Sequence, residues 1–206
     1  MHKAVPKALL FDLGGVLIDI DFNRVFRAWQ SKSRLSFEEL KQKFKFDIPY
    51  EQHERGETSS TQYFRHLMST LELDDDLAHV ANGWNAIFVG QIEETVAAVQ
   101  TMRDILPCYV FTNTNAAHME TWSKLFPDLV ATFEHVFASH LIGLRKPELQ
   151  AFAYISQQIG VSANSIAFFD DSLENVTGAN HAGLLGTLVR SPQDVKNALQ
   201  EYGFSI

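Results

Sequence analysis

The chain has 206 residues, of which 46% are hydrophobic and 20% charged, with a formal net charge of −8. That size suits one large domain or a core with a smaller insertion. The negative charge argues against general nucleic-acid binding, which relies on Lys and Arg to neutralise phosphates. An anionic substrate must then be held by local donors or a metal, not by the global field.

The single cysteine, Cys108, allows no intramolecular disulfide and lies in an apolar run. Met1 to Lys7 is short and polar, unlike a secretory leader. No apolar stretch approaches the roughly 20 residues that span a bilayer. A reducing, cytoplasmic setting without membrane or nucleic-acid partners is the expectation.

Ala8-Leu9-Leu10-Phe11 reads as a short apolar strand that ends in Asp12, followed by Leu13-Gly14-Gly15-Val16. A carboxylate placed directly after a buried run needs a reason, because an unpaired buried charge is costly. A long helical region is expected from about 22 to 90. Phe22, Val25, Phe26 and Trp29 form one apolar stripe, and Phe37, Leu40 and Phe44 another. Ser59 and Gln62 have the spacing of a capping box opening a third helix with Tyr63, Leu67 and Leu71. Leu77, Val80, Trp84 and Ile87 suggest a fourth. His53-Glu54-Arg55-Gly56-Glu57 reads as a turn between two of these helices.

Further strands are expected at 108–112, 135–138, 166–170 and 185–189. Val96, Val99 and Met102 mark the helix before the second strand. Pro147 is expected at the first position of a helix carrying Leu149, Phe152, Ala153, Ser156 and Ile159. Ser191-Pro192 opens a last helix with Val195, Leu199 and Tyr202 on one face. Alternating strands and helices predict an α/β fold, a doubly wound, Rossmann-like parallel sheet. The early helices fall outside that alternation, so residues 21–90 are expected to form a small helical cap domain over a core of 1–20 and 91–206.

Several strands end in reactive polar groups: Asp12, then Thr112-Asn113, then Asp170-Asp171, with Arg145-Lys146-Pro147 between the last two. In a parallel sheet these ends meet at one edge. This ordered set resembles the haloacid dehalogenase superfamily of phosphatases that carry a helical cap after the first strand. Phe11 to Phe22, together with His53 to Glu57, is similar to the bacterial α-D-glucose-1-phosphate phosphatase group.

The resemblance implies a catalytic nucleophile at Asp12 that becomes an aspartyl-phosphate, splitting one hard displacement into two easier ones. It implies Mg²⁺ held by Asp12, the Gly14 main-chain carbonyl and Asp171, with Asp170 and Asn175 in supporting places. Thr112, and with it Asn113, would bind the phosphoryl group of the substrate. Lys146 would be both catalytic and substrate-binding, offsetting charge among Asp12, the phosphoryl group and the metal ligands. Arg145 is expected in an ion pair or at the rim.

One departure stands out. Most phosphatases of the superfamily carry a second Asp two residues after the nucleophile, as a general acid and base; here that position is Gly14. Such groups typically contribute ~10²–10⁴-fold. A cap residue such as His53 or Glu54 could replace it, an anomeric leaving group could tolerate its loss, or turnover could be slow.

The expected activity is phosphatase action on a small phosphomonoester, a hexose 1-phosphate, with Trp84 among the aromatics of the sugar pocket. The competing readings are a 2-haloacid dehalogenase, which also lacks the second Asp but uses no metal, and a catalytically weak module that binds a phosphorylated ligand. A monomer is favoured. His2, His79, His118, His135 and His181 show no pairing at metal-ligand spacing and receive no role.

Overall fold

The computed structural model describes residues 5–74 and 76–206; His2 lies outside them. The chain begins with β1 (Ala8–Phe11) and β2 (Ile18–Ile20). Five helices follow: α1 (Phe22–Gln30), α2 (Phe37–Lys43), α3 (Ile48–Glu54), α4 (Ser60–Thr70) and α5 (Leu77–Asn85). Next come β3 (Phe88–Gln91), α6 (Glu93–Met102), β4 (Cys108–Thr112), α7 (Ala116–Leu125) and α8 (Pro127–Val130). The chain continues through β5 (His135–Ala138), α9 (Ser139–Ile142), α10 (Leu149–Ile159) and β6 (Ile166–Asp170). It closes with α11 (Leu173–His181), β7 (Leu185–Leu188) and α12 (Pro192–Glu201).

Five strands form a parallel sheet in the order β5-β4-β1-β6-β7. Central β1 is buried at every position, as a strand covered on both faces must be. Its side chains alternate between two clusters. Leu9 and Phe11 join Val99 and Met102 of α6 and Val195 and Leu199 of α12. Ala8 and Leu10 join Phe152 and Ile155 of α10 and Ala179 of α11. The order of strands reverses beside β1, so the crevice at its carboxyl end is the natural ligand position in such a sheet.

The chain leaves and re-enters this layer through an antiparallel ribbon of β2 and β3, pairing Ile18 with Gln91 and Asp19 with Gly90. Strand β3 falls inside the stretch expected to be helical. Its four residues show no alternation strong enough to set it apart.

Helices α1–α5 lie between those two strands and share their own cluster, centred on Val25, Trp29, Leu40, Tyr63, Val80 and Trp84. The Ser59–Gln62 capping box is present, as is a second one between Ser36 and Glu39. The expected turn lies between α3 and α4 at Arg55–Glu57, while His53 and Glu54 close α3, which has Asp47 as N-cap and Pro49 in its first turn. Trp29 stacks on Trp84 and donates its indole N–H to the Val80 carbonyl at 3.0 Å. A Cβ on Gly83 would collide with the Trp29 ring, so helix α5 approaches α1 through a glycine. Gly83→Ala is therefore expected to lower the unfolding free energy by roughly 1–3 kcal/mol, outweighing the helix-propensity gain of Ala. A urea titration with an unshifted midpoint would contradict that.

Among the described residues, no helix is long and apolar enough to cross a membrane.

Candidate active site

Asp12 follows β1, and its backbone N–H continues the sheet by bonding to the Phe169 carbonyl at 2.8 Å. Its carboxyl group is therefore fixed at the crevice between β1 and β6. Gly15 sits at φ 77°, and a Cβ there would run into the Asp171 carboxyl group. Glycine thus lets the turn after Asp12 pass against Asp171.

Lys146 is buried to 1% exposure among the strand ends. Its Nζ lies 2.7 Å from Asp12 Oδ1 and 2.7 Å from Asp170 Oδ2. The Phe111 and Phe168 rings flank it at 5.5 and 5.6 Å. The sequence placed Pro147 at the first turn of a helix; the structure starts α10 at Leu149, with Glu148 as N-cap and a cis bond between Lys146 and Pro147. Lys146 is therefore not at a helix N-terminus. Its main chain is held by Asn113 instead: the Lys146 N–H donates to Asn113 Oδ1 at 2.8 Å, and Asn113 Nδ2 donates to the Lys146 carbonyl at 2.9 Å. Asn113, expected to bind substrate, lines the cavity while its amide holds the lysine loop. Thr112 is buried at the end of β4 and lines the same cavity.

Oxygens of Asp12, Asp170 and Asp171 all lie within 4.8 Å of one another, a set that could hold a metal ion. The three are not equivalent. Asp170 is fully buried and accepts from Lys146 Nζ, the Ser172 N–H and Asn175 Nδ2. Those bonds use most of the lone-pair sites of one carboxylate. Asp12 and Asp171 have capacity left, and both line the cavity with Gly14. Burial pushes the Asp12 carboxyl up to about 7; Lys146 pulls the other way, and Asp170 and Asp171 add to the rise. Asp171 is raised as well, by desolvation and by Asp170. One buried ammonium thus faces three carboxyl groups. The residues fit a hard divalent cation, which takes oxygen donors and would favour the ionised form of Asp12.

The cavity has a volume of about 160 Å³. Its aromatic lining is Phe22, Tyr50, Phe88 and Trp122. Trp84, expected there, is fully buried between Trp29 and His118. The size of its apolar surface explains why it fills the helical core instead of the pocket.

Several contributors were not visible in the sequence. Ser139 Oγ accepts from the Thr114 N–H and donates to the Thr114 carbonyl, both at 2.9 Å, clamping the loop after β4. Tyr50 reaches the cavity from the same face of α3 as Glu54, which was named above as a possible general acid. His118, given no role above, lines the cavity and stacks on Trp84. Its Nε2 lies 3.1 Å from the Trp84 carbonyl, and Nδ1 lies 3.2 Å from Asn115 Nδ2.

Burial drives His118 down to about 3, against a weaker opposite pull from the Trp84 carbonyl. The unfolded chain binds this proton near the usual value of 6.5, whereas the folded one stays neutral. Its stabilisation is thus complete above about 6.5 and is lost as pH falls toward about 3. The stability gap between the parent and His118→Gln should shrink by about 1.6 kcal/mol from pH 6.5 to 5. Denaturant titrations showing a constant gap would contradict the buried neutral imidazole.

Carboxyl groups and one ammonium, gathered at the carboxyl edge of a doubly wound parallel sheet, define an α/β enzyme built to handle an anion. The model of the haloacid dehalogenase-like hydrolases matches residues 6–183, and the chain belongs to that family. Sesquiterpene phosphatase astK of Aspergillus oryzae is 27% identical over 184 residues, covering 87% of this chain and 88% of that protein. Phosphatase MT3486 of Mycobacterium tuberculosis is 27% identical over 192 residues, covering 88% and 86% respectively. A magnesium complex of the family enzyme bt-2542 from Bacteroides thetaiotaomicron superposes with a TM-score of 0.82 at 24% identity, covering 95% of this chain and 99% of that one.

Proposed function

We propose that this hydrolase is a Mg²⁺-dependent phosphatase of small phosphomonoesters, with a hexose 1-phosphate as its substrate. The observation that carries the reading is Lys146 Nζ at 2.7 Å from both Asp12 and Asp170, beside Asp171 at the same cavity. Two of the relatives above are phosphatases, and a structural neighbour was crystallised with magnesium.

In this reading Asp12 attacks phosphorus, the ester P–O bond breaks, and the leaving alkoxide takes its proton from water. Water then attacks the phosphorus of the aspartyl-phosphate and regenerates the Asp12 carboxylate. Asp12, Asp171 and the Gly14 carbonyl would hold the Mg²⁺, which supplies charge neutralisation to the phosphoryl oxygens when bound. Lys146 offsets the charge that Asp12 and the phosphoryl group bring together. Thr112 donates a hydrogen bond to the transferring group. Helices within 21–90 act as the cap that keeps bulk water from the intermediate.

Gly14 offers no acid or base. A Cβ there would meet Ile20 Cδ1 at 3.1 Å, so the position is filled by an apolar neighbour. That suits a leaving group needing little protonation, as at an anomeric carbon. A cytoplasmic monomer acting on a small molecule, with no nucleic-acid or membrane partner, completes the reading.

The test is phosphate release from a panel of sugar phosphates with Mg²⁺ and after EDTA. Hydrolysis concentrated on hexose 1-phosphates, lost with EDTA and restored by Mg²⁺, is the expected result. Turnover of a 2-haloacid that survives EDTA would replace this reading with the dehalogenase.

A further inference from the structure

The cavity has two chemically distinct sides. The sheet side carries Asp12, Lys146 and Asp171. The helical side contributes Phe22, Tyr50, Glu54, Ile87 and Phe88. Tyr50 and Glu54 are the polar side chains on that second side, among the described residues. A buried carboxylate in an otherwise apolar wall is costly unless it is paired. Glu54, 4% exposed, is paired by Arg145, whose Nε and guanidinium nitrogen both reach Oε2 at 2.9 Å. Tyr50, one turn earlier on α3, donates its hydroxyl to the same carboxylate.

The pairing is itself braced. Arg145 also reaches Glu51 at 3.4 Å, and Arg55 reaches Glu51 at 3.2 Å and Glu148 at 2.5 Å. Two arginines and three glutamates thus tie α3 to the loop that carries Lys146. The phosphoryl side of the cavity and the carboxylate on its far wall are held in one frame.

We propose that Glu54 is the specificity-determining residue of the cavity, accepting a hydrogen bond from a hydroxyl of the leaving group. The inference rests on the phosphatase reading and narrows its substrate to esters of hydroxyl-bearing alcohols, such as sugars. A carboxylate has about four lone-pair sites, and two bonds from Arg145 with one from Tyr50 leave room for a further donor. Two other polar groups of the lining are engaged: Asn113 with the Lys146 main chain, and both His118 ring nitrogens with Trp84 and Asn115. A phosphomonoester without a hydroxyl there would enclose Glu54 with an unmet acceptor, which is how such a site rejects it.

The experiment measures binding calorimetrically in the Asp12→Asn protein with Mg²⁺ present, using glucose 1-phosphate and phenyl phosphate. Adding Glu54→Gln should weaken glucose 1-phosphate about 10–100-fold and leave phenyl phosphate within about twofold, as expected for one lost charge-assisted hydrogen bond. Tyr50→Phe, which loosens Glu54 without removing its charge, should weaken only the sugar ester, by several-fold. It decides the matter if Glu54→Gln shows no cooperative melting. Equal weakening of both ligands, or of neither, overturns the inference. Should the parent bind with this contrast while the wild-type enzyme releases no phosphate, the hydrolytic reading alone falls. Should wild type release phosphate without the contrast, the inference alone falls. A parent that binds neither ester overturns both.

Discussion

Lys146→Met is expected to lower the unfolding free energy of the metal-free protein by about 3–5 kcal/mol, because it strands a buried carboxylate. The ammonium is almost fully buried and touches Asp12 and Asp170 at 2.7 Å each. Asp170 is the carboxylate that suffers. It is fully buried and would keep only its bonds to Ser172 and Asn175. Met fills the space between Phe111 and Phe168 with similar volume, so the loss reports charge and not a cavity. Phosphate release should fall with it, since the same ammonium offsets the charge at Asp12. A urea midpoint within error of the parent would show that Lys146 is not the partner holding these carboxylates together.

Asp12→Asn should behave in the opposite way. Its carboxyl is pushed up to about 7 by burial, far above its usual value of 3.8, so the charged form is disfavoured in the metal-free fold. A neutral amide is expected to leave stability within about 1 kcal/mol of the parent. Activity should instead fall by on the order of 10⁴-fold or more, in line with the ~10⁶-fold seen when a covalent nucleophile is removed elsewhere. Phosphate release and urea titration on the same sample separate the two effects. A variant that retains a tenth of the activity would place the attacking group elsewhere.

In the proposed reading Lys146 holds the fold and Asp12 does the chemistry, a division that exposure alone does not give, because both side chains are buried.

The sheet was legible because its strands are covered on both faces. Residues 8–11, 108–112 and 166–170 read as unbroken apolar runs, and each ends where a polar group must leave the layer. Helix α4 was legible through Ser59 and Gln62, a local signal that no tertiary contact is needed to read.

The end of helix α3 was not. His53 and Glu54 read as part of the turn that follows it, and the burial of Glu54 depends on Arg145, 91 residues away. A signal was nevertheless present: Asp47 and Pro49 form a helix start, and Tyr50 and Glu54 are then one turn apart. The start of α10 misled for a related reason. Pro147 suits a first turn by itself, but Asn113 binds the Lys146 backbone and the helix opens two residues later. Trp84 was misplaced because a helical stripe does not say which neighbour it packs against. Stacking on Trp29 and His118 took it out of the cavity.

In the proposed reaction Asp12 receives the phosphoryl group. Rapid acid quench during turnover of a hexose 1-phosphate with Mg²⁺, followed by mass analysis of the peptide containing Asp12, tests it most directly. One phosphoryl group on Asp12, absent from the Asp12→Asn protein, is the expected result. Phosphate release with the adduct on another residue, or with none on the enzyme at any quench time, would contradict it.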